Sequence, residues 1–365
     1  MPTLPDALRS HVDKYFLRSR RILDAEGIDP VVTMQVFFRD GPGVFAGIDE
    51  VVALLRETSE LAETGGALFA LPEGAAYAPL EPVMHIEGRL TGFIEHETLY
   101  LGMLSAATSL ANGLPEPTPG EVEARAAAIR ALVPDRQLMY FGARHWHPRC
   151  EEDFCRAAVA GGFDACATDA GARAAGLAGG VGTIPHALVL AMAGKYGREQ
   201  ATREAALAFD RHIEAACPRV ALVDTFNREI DDALDTARAL GERLAAVRLD
   251  TAGELVGQGG ATFDGRPHVT GPGVTVAGTL AVRRALDAAG FGHVGIVLSS
   301  GFGNPEKIRA FVEAEKEHGR LFLSLGIGGL FRSYAATADI VRVDGADLAK
   351  TGRAYRPNPR LIRFI

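Results

Sequence analysis

The stretch that decides the fold is VALVDTFNREIDDALDTARALGERLAAVRLDTAG, from Val220 to Gly253. An apolar run ends in an aspartate, Asp224. A polar stretch of helical spacing follows, with Asn227 placed to cap its start, and a second apolar run ends in Asp250. Continuous rather than alternating hydrophobicity suits strands buried on both faces. Strand, helix and strand in about thirty residues make one unit of a parallel α/β sheet.

The same grammar recurs in LMYFGARHW, FDACATDAG, VGIVLSSGFG and LFLSLGIGG. The polar ends of the runs fall at Arg144, Asp169, Asp224, Asp250, Ser300 and Gly326, one or two such units apart. A chain of these units predicts an α/β protein built as an irregular parallel, TIM-like barrel, with its active site at the C-terminal strand ends. A doubly wound open sheet is the competing arrangement.

Around this core the pattern changes. VVTMQVFFRD and PVMHIEGRLTGFI predict strands of a smaller α/β sandwich. EHETLYLGMLSAATSLANG predicts a helix with Leu99, Met103 and Leu110 on its apolar stripe and a stop at Gly113. The three prolines of LPEPTPG mark a boundary. The expected division is an N-terminal α/β domain over residues 1–115 and a barrel over 116–334. Residues 335–365 are expected to pack back onto the first domain, through a hairpin at Asp344-Gly345.

Hydrophobic residues make up 47% of the 365 residues and charged residues 23%, the balance of a soluble protein with a large core. The formal net charge of −8 argues against nucleic acid as the main partner. The N-terminal stretch MPTLPDALRSHVDKYF lacks the apolar core of a signal peptide, and a cytoplasmic location is expected. Ala174 to Gly194 is apolar enough to invite a membrane reading. Its glycines and Pro185 make it a poor spanning helix, so no membrane role is expected. Cys150, Cys155, Cys166 and Cys217 contain no C-x-x-C spacing, and no disulfide framework or structural zinc is expected. His145, His147 and Cys150 offer a weak metal constellation that lacks a fourth ligand.

Several residues point to chemistry. SSGFGN (Ser299 to Asn304) and GIGG (Gly326 to Gly329) are expected to expose backbone N–H groups near helix starts, a phosphate-holding arrangement. Asp224 and Asp250 converge if their strands are neighbours, and paired carboxylates bind Mg²⁺ or stabilise a developing cation. Arg144 and Arg248 supply planar forks for a carboxylate or a phosphate. His186, in GTIPH, follows Thr183 and Pro185 and is expected to look into the barrel mouth with an unpaired nitrogen, as acid, base or nucleophile.

Taken in order, DKYF, LGMLSAATSLA, FGARHWH, GTIPH, VDTFN, VRLDTAG, SSGFGNPEKI, GIGG and DIVRVDGADLAKTGR resemble the nicotinate phosphoribosyltransferases of the quinolinate/nicotinate phosphoribosyltransferase superfamily. The resemblance runs from about residue 13 to about residue 353. It implies transfer of phosphoribose from phosphoribosyl pyrophosphate (PRPP) to nicotinate, giving nicotinate mononucleotide and pyrophosphate for NAD synthesis. It implies Mg²⁺ with PRPP, and ATP as co-substrate through a phosphohistidine at His186. Thr183 and Arg248 would meet nicotinate, and Tyr15 would border its ring in the site of a neighbouring subunit, so that a homodimer at least is implied. Arg144 would meet the PRPP phosphates. Ser300, Gly301, Gly326, Gly328 and Gly329 would hold the 5′-phosphate, with Asp224 and Asp250 supporting the ribose or Mg²⁺–pyrophosphate.

The chain departs from the family pattern at three places: His145 stands where many relatives carry a second arginine, Glu254 where an aspartate is usual, and Gly329 where a threonine is frequent. Two readings compete. Quinolinate phosphoribosyltransferase shares the architecture but needs a denser basic cluster and no phosphorylatable histidine. A non-catalytic nucleotide-binding relative is the reading those departures keep open.

Overall fold

The computed structural model describes residues 4–365. The N-terminal part contributes strands β1 (Val31–Phe38), β2 (Gly43–Val44), β3 (Ala67–Ala70), β4 (Ala76–Tyr77) and β5 (Pro82–Arg89). The middle contributes β6 (Gln137–Tyr140), β7 (Ala165–Cys166), β8 (Arg219–Leu222), β9 (Leu244–Leu249), β10 (Gly295–Leu298) and β11 (Ser324–Ile327). The chain ends with β12 (Ala336–Val343), β13 (Ala346–Asp347) and β14 (Ile362–Arg363).

Two six-stranded sheets result. One is antiparallel, in the order β13-β12-β1-β5-β3-β14, so β12 after the parallel strands pairs with β1 near the start of the chain. The hairpin at Asp344-Gly345 forms, with Val343 opposite Ala346. The other sheet is parallel, in the order β7-β6-β11-β10-β9-β8. Each of its strands is short and apolar, and β10 is buried along its whole length.

The parallel sheet curls but does not close into the barrel that the βα repeats suggest. Its edge strands β7 and β8 do not pair with each other. Residues 175–185 span the gap between them and run as irregular chain. The N–H of Val181 donates to Cys166 O of β7 at 2.8 Å, and Thr183 Oγ1 donates to Val220 O of β8 at 2.7 Å. Gly182 between them has φ 122°, where L side chains are strained, and an added Cβ would stand 3.1 Å from the Tyr15 ring. A glycine-rich joint thus touches both edges without continuing the ladder, and the sheet is a curled half-barrel.

The apolar run Ala174 to Gly194 resolves into that joint and the helix His186–Tyr196, whose residues Ala187 to Ala193 are all buried. The helix packs on the antiparallel sheet, where a Cβ on Gly194 would come within 2.8 Å of Val343. Among the described residues no helix is long and apolar enough to cross a membrane.

The helix Glu97–Ala111 is buried on nearly every side, because it packs between β12 and the turn Ala143–His145. Its polar residues are spent on holding neighbours. Ser105 Oγ has the Leu101 carbonyl of its own helix at 2.6 Å and the Arg144 carbonyl at 3.0 Å as acceptors for its one proton, and accepts from the Ala336 N–H at 2.9 Å; Ser109 Oγ accepts from the Tyr334 N–H at 2.8 Å. Gly102 lets the turn Ala143–His145 approach, since a Cβ there would lie 2.5 Å from Trp146 O. Leu110, read as part of the apolar stripe, lies in the last turn and is exposed. After the proline-rich boundary, Thr118 and Glu121 form a reciprocal capping box that starts the helix Pro119–Leu132.

The helix after β8 starts at Glu229, and Asn227 does not cap it. Asn227 adopts φ 56° instead, and Gln258 Oε1 accepts from the N–H groups of Ile230 and Asp231 at 2.9 and 3.1 Å. The cap comes from the long loop after β9, a tertiary solution that local sequence does not announce. Because Ser105 joins the helix Glu97–Ala111 to β12 and to the Arg144 turn, S105A should lower unfolding free energy by about 1–3 kcal/mol, the usual cost of leaving buried groups unpaired. Urea unfolding curves check this, and an unchanged midpoint would show that the contacts add nothing.

Candidate active site

The C-terminal ends of the parallel strands open into a cavity of about 650 Å³, roofed by β12 and the segment after β13. Its charged lining is mostly cationic: Arg39, Arg144, Arg248, Lys350 and Arg353 face Asp250 and Asp339. Such a cavity is electrostatically suited to a polyanion.

Asp224 follows β8 and Asp250 follows β9, neighbouring strands in register, so the two aspartates do converge. His186 opens its helix directly above them. Its Nε2 lies 3.7 Å from Asp224 Oδ2 and 3.6 Å from Asp250 Oδ2. Neither ring nitrogen is unpaired, contrary to the sequence expectation. Nδ1 lies 3.0 Å from Thr225 Oγ1, and Nε2 lies 2.9 Å from Lys350 Nζ. Burial works to raise the Asp250 carboxyl, but His186, Lys350 and Arg248 around it hold it well below the usual carboxylate range. Asp224 has no exposed side-chain surface. Its Oδ2 accepts from Lys350 at 2.6 Å, while Oδ1 finds no partner among the described residues.

Arg248 sits in β9 with its guanidinium 4.0 Å from Asp250 and its Nε buried without a partner among the described residues. It borders the main cavity and also a second, mostly apolar cavity of about 420 Å³ inside the curl of the sheet. Thr183 belongs to that second cavity. Its hydroxyl is engaged by Val220 O, and the structure does not place it on the wall that holds His186. Tyr15 and Phe141 line the main cavity beside Arg248. Tyr15 thus borders the cavity of its own chain. Its hydroxyl donates to Asp13 Oδ2 at 3.1 Å.

Both glycine turns reach the cavity. Ser300 and Gly301 have φ 69° and 79°, and the Ser300 carbonyl accepts from Lys307 Nζ at 2.7 Å. The helix Pro305–His318 follows, with Asn304 as its cap. GIGG leads into no helix; the chain passes through Leu330–Ala335 into β12. Its glycines permit close approach instead. A Cβ would meet Phe141 at Gly326 and His145 at Gly328, at 2.5 and 2.6 Å, whereas Gly329 faces open space. Burial and neighbouring Arg144 push His145 down to about 4, so it backs the glycine turn as a neutral ring. His147 turns to Glu50 and Cys150 to Glu116, so the three residues of HWHPRC share no centre. Glu254 pairs with Arg353 and, at 3.4 Å, with Arg39 at the rim.

Sequence reasoning missed Lys350, Arg39, Arg353 and Glu97. Only the pairing of β12 with β1 brings Lys350 and Arg353 over the strand ends, and the signals available were the hairpin preceding them and their place in DIVRVDGADLAKTGR. Glu97 is a buried acid beside Arg144, and its helix gave no sign of facing a cavity.

No curated protein matches the chain. Residues 13–108 match the family profile described as quinolinate phosphoribosyl transferase, N-terminal domain. A nicotinate-nucleotide pyrophosphorylase from Pyrococcus furiosus is 31% identical over 96% of this chain and 80% of its own, and its likeness is one of sequence, since the TM-score is 0.46. The fold is that of a nicotinate phosphoribosyltransferase from Vibrio cholerae (15% identity, 94% of this chain and 88% of that one, TM-score 0.64). One from Porphyromonas gingivalis is similar too (14% identity, 96% and 93%, TM-score 0.63). The chain is an α/β protein of two sheets with a cation-lined cavity at the ends of its parallel strands. It belongs to the quinolinate/nicotinate phosphoribosyltransferase superfamily.

Burial lifts Glu97 from 4.5 up to about 8, against the pull of Arg144, and lifts Glu151 to about 8 as well. The folded chain then keeps protons that the unfolded chain has lost, so these groups make stability fall as pH rises from 4.5 to 8. Below 6.5, His85, His96 and His145, pushed down to about 4 by burial, oppose that trend. E97Q should therefore gain stability relative to the parent as pH rises from 6.5 to 8. Denaturant midpoints across that range check it, and parallel profiles would show that Glu97 does not titrate there.

Proposed function

We propose that the protein is a nicotinate phosphoribosyltransferase. In this reading the pyridine nitrogen of nicotinate attacks C1 of PRPP, the C1–O bond to pyrophosphate breaks, and nicotinate mononucleotide and pyrophosphate leave. The observation that carries it is one cavity holding an uncommitted arginine fork, His186 set against two strand-end aspartates, and two glycine turns. Arg248 pairs with the nicotinate carboxylate, and Tyr15 and Phe141 flank the ring. Arg144, Arg39 and Arg353 meet the phosphates, and the backbone at Ser300, Gly301, Gly328 and Gly329 receives the 5′-phosphate. Positive charge that develops at C1 finds Asp250, held ionised by its neighbours.

ATP enters through His186. A ring nitrogen attacks the γ-phosphorus, the bond to ADP breaks, and water later releases phosphate from the phosphohistidine. The donor set fits a Mg²⁺ that arrives with a polyphosphate rather than one caged by protein. Asp224 Oδ1 is an orphaned acceptor and Asp250 is ionised, yet Lys350 neutralises the other Asp224 oxygen. Such an ion would neutralise the leaving pyrophosphate.

Quinolinate is the weaker acceptor in this reading, although the matched profile carries its name. It brings two carboxylates, and beside Tyr15 and Phe141 the uncommitted fork is that of Arg248. Nicotinamide would leave that charge without a partner.

Turnover of nicotinate and PRPP should be faster with ATP than without, and H186A should abolish the difference. An ATP effect that survives in H186A would remove the phosphohistidine. R248K should raise the KM for nicotinate about tenfold or more, the loss of one charge-assisted bidentate contact. An unchanged KM would place the carboxylate elsewhere.

A further inference from the structure

A buried ammonium stands at the centre of the site. Lys350 is 5% exposed, and its Nζ lies 2.6 Å from Asp224 Oδ2, 3.0 Å from Asp250 O and 2.9 Å from His186 Nε2. An ammonium has three protons and no acceptor, so these three partners use all of its capacity. We propose that Lys350 is a positioning residue that locks His186 in a single tautomer and supplies the counter-charge for phosphate groups arriving beside it. The second half rests on the phosphohistidine reading; the first does not.

The proton inventory follows from the contacts. Because Lys350 can only donate, His186 Nε2 must present its lone pair. The neutral imidazole then carries its proton on Nδ1, toward Thr225 Oγ1 at 3.0 Å. Without Lys350 the nearest groups to Nε2 are the carboxylates of Asp224 and Asp250, at 3.7 and 3.6 Å, which can only accept. They would draw a proton onto Nε2. The lysine, and not the aspartates, therefore decides which nitrogen holds the lone pair.

The arrangement is built rather than incidental. The segment carrying Lys350 is docked on both sides. The N–H of Thr351 donates to Thr225 O at 2.9 Å, Gly352 lies against Leu255, and the Arg353 Nε donates to Asp339 Oδ2 at 2.7 Å. Thr225 is thus held by the same turn that holds Lys350, so both partners of the imidazole come fixed together. Asp224 Oδ2 and Asp250 O remain to hold the ammonium if its bond to His186 is exchanged for a phosphoryl oxygen.

Isotope-edited NMR of the imidazole nitrogens in the full-length protein tests the first half without any substrate, with H186Q used only to assign the signal. The expected pattern is a protonated Nδ1 and an unprotonated Nε2 in the parent, shifting toward a protonated Nε2 in K350M. A protonated Nε2 in the parent, or an identical pattern in folded K350M, overturns the proposal. Labelling with ATP carrying a radioactive γ-phosphate tests the second half. The parent should retain label, and K350M should lose the ATP stimulation by on the order of tenfold, with K350R recovering part of it. Equal labelling and equal stimulation in K350M would overturn the counter-charge role. A parent that takes no label would overturn the phosphohistidine reading and the counter-charge role with it, and would leave the tautomer result standing.

Discussion

The ammonium of Lys350 ties the two halves of the chain together at the proposed active site. It is carried in just after β13, in the antiparallel sheet's own hairpin region, and ends on residues that follow β8 and β9 of the parallel sheet. Buried charges are costly unless paired and hydrogen-bonded. Here Asp224, with no exposed side-chain surface, has Lys350 as its direct ionic partner. The roof of the cavity and its floor are therefore coupled by the same interaction that orients His186.

Around this pair the molecule places its remaining buried charges in layers. Arg144 lies beside Tyr15, Asp13, Glu97 and Asp250, and these neighbours raise it above its ordinary value. Burial raises Asp13 and lifts Glu97 to about 8, while the groups around Asp250 hold it well below the usual carboxylate range. The result is a gradient from a muted acidic backing to a cationic, ligand-facing surface. Arg144 and Arg248 both line the cavity, with Arg248 at the 4.0 Å limit of an ion pair to Asp250.

Much of this was legible in the sequence. Asp224 and Asp250 could be placed at strand ends because the apolar runs before them are continuous, and neighbouring βα units bring their ends together. The hairpin at Asp344-Gly345 was visible from its turn residues. Other features were hidden for physical reasons. Periodicity reports strands but not whether a sheet closes, and here a joint around Gly182 decides that it does not. Asn227 looked like a helix cap, but the long loop after β9 supplies Gln258 instead. GIGG looked like a helix start, yet its glycines serve close packing against Phe141 and His145. His186 could be located but not its partners, because Lys350 lies more than a hundred and sixty positions away and approaches only through the antiparallel sheet.

In the proposed function the Arg248 fork, beside Tyr15 and Phe141 in a cation-lined cavity, selects a pyridine with one carboxylate. The most direct test of that selection is a competition assay in which PRPP, Mg²⁺ and ATP are supplied with equal amounts of nicotinate, nicotinamide and quinolinate, and the nucleotides formed are separated and counted. Predominant formation of nicotinate mononucleotide from nicotinate, with the quinolinate and nicotinamide left unconsumed, is the predicted result. Preferential consumption of quinolinate or of nicotinamide would contradict the role given to Arg248, and with it the account of how this site recognises its acceptor.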